Sequence, residues 1–141
     1  MMALQYRFPG NTLSEIDVAR QCKCVPSAGC AVMDVYRAAL RYGLQPKWLD
    51  VMSIENDVET ALGNGRPVII SVQLSALPYL HGQSIWWHSV VVIGMDDVHA
   101  FVHDPAPDGG ERLSVRRDRL LAAWDSSLFS AYSISSGASN E

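Results

Sequence analysis

Apolar side chains recur at helical spacing in the first half of the chain. Ser14 precedes one such segment, and Asp17 follows three residues later in the pattern of a capping box, so we predict a short helix that runs to about Cys22. A second segment repeats apolar residues at i, i+3, i+4, i+7 and i+8, which predicts a helix with one buried face. The residues of that face are Val32, Val35, Tyr36, Ala39 and Leu40. Gly43 is placed to end this helix.

Two more segments of the first half have helical character. Residues 1–8 are mostly apolar and stop at the turn signal Pro9-Gly10. Ser53 is predicted to cap another helix, which closes at the Gly-Asn-Gly sequence of residues 63–65.

The pattern changes after Pro67, where β-branched residues come in short runs. These runs predict three buried strands, at residues 68–72, 89–94 and 100–103. Ser114 is predicted to begin a last helix, residues 129–134 a closing strand, and the polar residues 135–141 a disordered tail. Helices followed by consecutive strands predict an α+β fold, with helices packed on an antiparallel sheet in one domain over residues 1–134.

Charge and hydropathy exclude several classes of protein. The net charge of −4 argues against a nucleic-acid-binding surface, which needs a basic patch. Four arginines cluster between residues 112 and 119, but Asp118 lies among them and Glu111 just before them, so we interpret this segment as a solvated helix face. No apolar run approaches the ~20 residues of a membrane span. No secretory signal opens the given sequence, so a cytoplasmic location is expected if Met1 is the true start. The oligomeric state is not predicted.

The three cysteines, Cys22, Cys24 and Cys30, lie close together. An odd number favours free thiols in a reducing compartment over a disulfide framework. Their spacing is not a standard zinc pattern, and the histidines are distant in sequence. We therefore predict no metal site and no cofactor.

His88 and Asp104 are the candidate catalytic pair. His88 opens one predicted strand and Asp104 closes the next, so antiparallel pairing can place them side by side. A carboxylate beside an imidazole fixes its tautomer and leaves the other ring nitrogen able to activate a thiol. The alternative from spacing alone is a strand-end histidine and an aspartate that begins an Asp-Pro turn.

Three stretches in this order resemble the C39 type of papain-like cysteine peptidases. Residues 65–69 (GRPVI) resemble a strand of that family, and residues 87–94 (WHSVVVIG) resemble its H-x-V-V-V-x-G strand. Residues 102–106 (VHDPA), with 120–124 (LLAAW), resemble its N-D-P-A…F-L-x-A-W ending. The resemblance covers roughly residues 14–134. It implies a papain-like fold, a peptide or protein substrate, His88 as general base and Asp104 as its orienting acid. His103 stands where the family often has Asn, and its role is open.

The resemblance leaves two placements for the nucleophilic cysteine. In the first, Cys24 and Pro26 match the Cys-x-Pro start of the family's nucleophile helix, with Gln21 before them. In the second, residues 2–6 (MALQY) resemble the end of that helix, and the nucleophile falls before Met1. We favour the second, because the segments after it then stay in register. The chain is then expected to be a truncated or inactive cysteine peptidase. A non-catalytic peptide-binding domain and an enzyme that uses Cys24 are the alternatives.

Residues just before His88 are candidates for substrate contact. The pair Trp86-Trp87 is suited either to line a groove or to pack in the core. The loop over residues 75–84 resembles a family segment that borders the cleft.

Overall fold

The computed structural model describes residues 10, 12–26, 29–49, 54–77, 87–105, 110, 112–125 and 131–136. Four α-helices occur in this part of the chain: α1 (Glu15–Gln21), α2 (Val32–Arg41), α3 (Ile54–Gly63) and α4 (Arg117–Asp125). Six strands occur with them: β1 (Leu44–Trp48), β2 (Val68–Gln73), β3 (Trp87–Met95), β4 (His99–His103), β5 (Leu113–Arg116) and β6 (Ala131–Ser136). The strands hydrogen-bond in the order β1-β6-β2-β3-β4-β5, and the fold is α+β as predicted.

The chain divides into two compact units, which we describe separately. One contains the described residues up to Lys47 and from Ile134 onward, and the other is Trp48–Ser133. None of the helices in the described part of the chain is long and apolar enough to cross a membrane.

In the first unit, helix α1 packs beside α2. Ser14 caps α1, because its hydroxyl accepts a hydrogen bond from the Asp17 N–H at 3.2 Å, as the capping box predicts. The Tyr36 hydroxyl donates to the carbonyl of Pro46 in β1 at 3.0 Å. The predicted buried face of α2 is wrong at Leu40, whose side chain is 52% exposed. Ala38 and Ala39 are buried.

The loop between α1 and α2 is closed by a disulfide between Cys24 and Cys30. Val25 and Gly29 exchange two backbone hydrogen bonds of 2.8 Å inside it. The prediction of three free thiols is therefore wrong for two of them. An odd count excludes only complete pairing, and six residues of separation let a tight turn bring two of the cysteines together.

We expect reduction of this disulfide to lower the free energy of unfolding by about 2 kcal/mol, because the unfolded chain loses a closed ring of seven residues. Urea unfolding with and without a reductant measures this. The double variant Cys24→Ala, Cys30→Ala should match the reduced wild type, and reductant should not change it further. Equal unfolding midpoints for the oxidised and reduced chains would refute the prediction.

In the second unit, one face of strands β2 to β5 carries an apolar core. Helices α3 and α4 pack on this face. The largest fully buried apolar side chains of this unit are Leu77, Leu120, Val68, Val72, Val90, Val92 and Val102. β2 and β3 pair antiparallel, with Val72 opposite His88. β3 and β4 pair antiparallel with a bulge between Val92 and Gly94.

Two predicted boundaries differ from the structure. Ser114 lies inside strand β5, and helix α4 begins only at Arg117. Strand β6 continues to Ser136, so Ser135 and Ser136 belong to a strand instead of the predicted tail. The remainder of that tail and the predicted helix over residues 1–8 lie outside the described residues.

Candidate active site

His88 and Asp104 lie at one end of the core face of the sheet. His88 continues the row of Val90 and Val92 on β3, and Asp104 follows Val102 at the end of β4. Because side chains alternate between the faces of a strand, both polar groups project to the side of the apolar core. The paired carboxyl and imidazole thus occupy the ends of two hydrophobic rows.

The two side chains are in direct contact, as predicted. Nε2 of His88 lies 2.6 Å from Oδ1 of Asp104. The side chain of Asp104 is fully buried, while that of His88 is 17% exposed. An ionised carboxylate oxygen can only accept, so Nε2 carries the proton in this contact. Nδ1 is then the nitrogen left to accept a proton from another group.

The backbone holds Asp104 in place as well. Its N–H donates to the carbonyl of Gly110 at 2.7 Å. The neighbouring His103 projects to the other face of β4, where its Nδ1 accepts the N–H of Arg112 at 3.0 Å. His103 is therefore not a third member of the pair. Nothing in the sequence pattern indicated that it anchors the loop beyond Asp104.

None of the three cysteines has the environment of an activated thiol. Cys24 and Cys30 are bonded to each other. Cys24 lies in the loop after α1, eight residues before α2 begins, so it is not at a helix N-terminus. Cys22 is buried, and its burial raises the pKa of the thiol, which favours the unreactive protonated form.

Two surface hollows of the second unit lie away from this pair. Their volumes are about 320 and 440 Å³, and both are lined by Asp97 and Arg117 near the hairpin between β3 and β4. That hairpin is at the opposite end of β3 from His88. The segment predicted to border the cleft lies outside the described residues from position 78 to Trp86.

The fold and the match to a family profile together show the class of protein. An antiparallel six-stranded sheet with packed helices, in the order found here, is the papain-like α+β fold of C39 peptidase domains. The profile of the Peptidase_C39 like family matches residues 2–132, and the chain belongs to that family.

Two of the solved structures with a similar fold are bacterial proteins. A protein from Bacillus anthracis described as a C39-like peptidase superposes with a TM-score of 0.72 at 20% identity, over 95% of this chain and 85% of that one. The peptidase domain of Streptococcus ComA, a bifunctional ABC transporter of a quorum-sensing pathway, superposes with a TM-score of 0.68 at 17% identity. That match covers 95% of this chain and 86% of the domain. No curated protein matches the sequence.

Proposed function

We propose that this chain carries the acid–base half of a C39-type cysteine peptidase, with His88 as general base and Asp104 as the group that orients it. The observation that carries this proposal is the 2.6 Å contact between Nε2 and a fully buried carboxylate. A buried carboxylate is costly unless it is paired, so such a pair at a partly exposed imidazole is typical of a functional site.

The geometry supports separate roles for Asp104 and His88 in thiol-dependent hydrolysis. Asp104 holds the proton on Nε2, so Nδ1 is free to remove the proton of a cysteine thiol. The resulting thiolate attacks the carbonyl carbon of the scissile peptide bond. The imidazolium then donates its proton to the amine, which departs. The acyl group remains on the cysteine as a thioester. Water, deprotonated by the same imidazole, releases the acid and regenerates the thiol.

We propose that none of the three cysteines of these 141 residues supplies the thiol. Cys24 and Cys30 are consumed in a disulfide, and Cys22 is buried with a raised pKa. We propose that the chain by itself does not hydrolyse peptides, and that its partner in the peptidase reaction is a cysteine outside this sequence. The same observation favours a second candidate, a non-catalytic domain that binds peptides.

We expect the 141-residue chain to show no hydrolysis of mixed peptide substrates, either oxidised or reduced, because the proposed nucleophile is not among its three cysteines. After reduction, iodoacetamide should alkylate Cys22 more slowly than Cys24 and Cys30, since the pKa of the buried thiol is raised. The matched variants are Cys24→Ala and His88→Ala. Activity of the reduced chain that disappears in Cys24→Ala would overturn the proposal about the nucleophile.

A longer chain that includes a nucleophile segment tests the roles of the pair directly. Such a chain should cleave peptides, and His88→Ala should lower kcat/KM by at least ~100-fold, the usual contribution of a general base. An active longer chain that is insensitive to His88→Ala would exclude the proposed role. Activity in neither chain, with retained peptide binding, would favour the non-catalytic domain.

We further propose that residues 1–134 form a single C39-like domain that acts on a peptide or protein. The family match over residues 2–132 supports this extent. The cytoplasmic location stays a prediction, and the Cys24–Cys30 disulfide favours an oxidising compartment instead.

A further inference from the structure

We propose that His103 is a positioning residue, whose imidazole fastens the loop after β4 and thereby keeps the carboxylate of Asp104 against His88. This inference rests on the proposed function for its catalytic meaning, because the pair it supports is the proposed acid–base pair. The positioning itself is a separate physical statement. It follows from contacts of four described residues: His103, Asp104, Gly110 and Arg112.

Two adjacent residues at the end of β4 form hydrogen bonds with Gly110 and Arg112, which come just before β5. The N–H of Asp104 donates to the carbonyl of Gly110 at 2.7 Å. Nδ1 of His103 accepts the N–H of Arg112 at 3.0 Å. One bond is made by backbone alone, so it survives any side-chain change. The other depends entirely on the acceptor nitrogen of one imidazole.

Side chains alternate between the two faces of β4, so the side chains of His103 and Asp104 do not compete for the same space. His103 pairs with Val91 across the sheet and projects to the face opposite Asp104. The imidazole can therefore anchor the returning chain without competing for the space beside His88. Asp104 stays free to direct its carboxylate into the core face, where it is fully buried.

The anchored residue adopts a backbone conformation that needs support. Arg112 has φ of 53°, in the left-handed region that residues with a Cβ rarely occupy. Such a conformation persists where surrounding contacts specify it. The acceptor on His103 provides one such contact at the Arg112 N–H. Without it, the backbone of Arg112 can relax, and the carboxylate of Asp104 can shift away from Nε2 of His88.

The experiment uses two substitutions of nearly equal size. In His103→Asn, the amide oxygen is attached to Cγ as Nδ1 is, so it can accept the N–H of Arg112. In His103→Leu, a methyl group takes that place and accepts nothing. The readout is the downfield NMR resonance of the His88 Nε2–H proton and its exchange rate with water. Asp104→Asn provides the reference for a broken pair.

We expect slow exchange in the wild type and in His103→Asn, and exchange about fivefold faster in His103→Leu, the effect of losing one hydrogen bond. Arg112→Gly is the control, because it keeps the N–H donor and relieves the positive φ; its exchange rate should match that of the wild type. Equal rates in Asn and Leu variants, whether slow or fast, would overturn the proposal, since the acceptor would then make no difference.

A second measurement does not depend on how well the leucine variant folds. A scalar coupling across the hydrogen bond between the Arg112 amide nitrogen and Nδ1 of His103 should be present in the wild type. Its absence would overturn the proposal. Neither readout needs a peptide or a nucleophile. Absence of hydrolysis by the longer chain that includes a nucleophile segment, with slow exchange and the coupling intact, would therefore count against the proposed function and leave the positioning role standing.

Discussion

Replacing Asp104 by alanine is expected to lower the free energy of unfolding by about 3 kcal/mol, because it removes a hydrogen bond to a buried carboxylate and leaves a buried donor without its acceptor. The carboxylate is fully buried, and its Oδ1 is the acceptor for Nε2 of His88. Removing it leaves an imidazole N–H without that acceptor in a site that water barely reaches. Urea unfolding at neutral pH, followed by circular dichroism, measures the loss.

Asp118→Ala is the matched control for Asp104→Ala. Asp118 pairs with Arg116 at 3.0 Å, but its side chain is 60% exposed. Water and salt screen that pair, so a much smaller effect is expected. A double-mutant cycle with His88→Ala should show non-additivity, because the two residues are in contact. Equal losses for both aspartate variants would show that burial of the pair is not what stabilises the chain.

Replacing Leu120 by alanine is expected to cost about 3 kcal/mol, because a buried leucine loses its transfer free energy and leaves a cavity. Leu120 is 1% exposed and belongs to the core formed by α3, α4 and the sheet. The unfolding midpoint in urea should fall without a change in the slope of the transition.

Leu40→Ala makes the same chemical change at a side chain that is 52% exposed. Surface substitutions of this kind change stability by about 0.5 kcal/mol or less. If the two leucine variants were equally destabilised, the core described for the second unit would be wrong.

The strands around the candidate site could be predicted from the sequence because their side chains are chemically uniform. Runs of valine and isoleucine after Pro67 identify β2 and β3, and these are central strands that are covered by helices. The ends of β3 and β4 then indicated which histidine and aspartate would meet. The contact of His88 with Asp104 follows from those ends.

The two edge strands, β1 and β5, could not be predicted in this way. β1 contains Pro46, which has no N–H and is tolerated only where one side of the strand is unpaired. β5 has four residues, two of them exposed, so its pattern is too short to be distinguished from the first turn of helix α4. Edge strands are stabilised by their single neighbour, and local sequence carries little sign of that neighbour.

The bulge in β3 determines to which face of the sheet the side chain of Asp104 projects. Beside the turn, each pair joins an odd-numbered and an even-numbered residue, as in Met95 and Ala100. Beyond the bulge, both residues of a pair are even-numbered or both are odd-numbered, as in Val92 and Val102. Without the inserted residue, the pairing found beside the turn would continue along the whole hairpin. Asp104 would then project to the same face as the odd-numbered side chains of β3, on the side away from His88. One additional peptide unit near Ile93 therefore decides whether the carboxyl and the imidazole are neighbours or are separated by the thickness of the sheet.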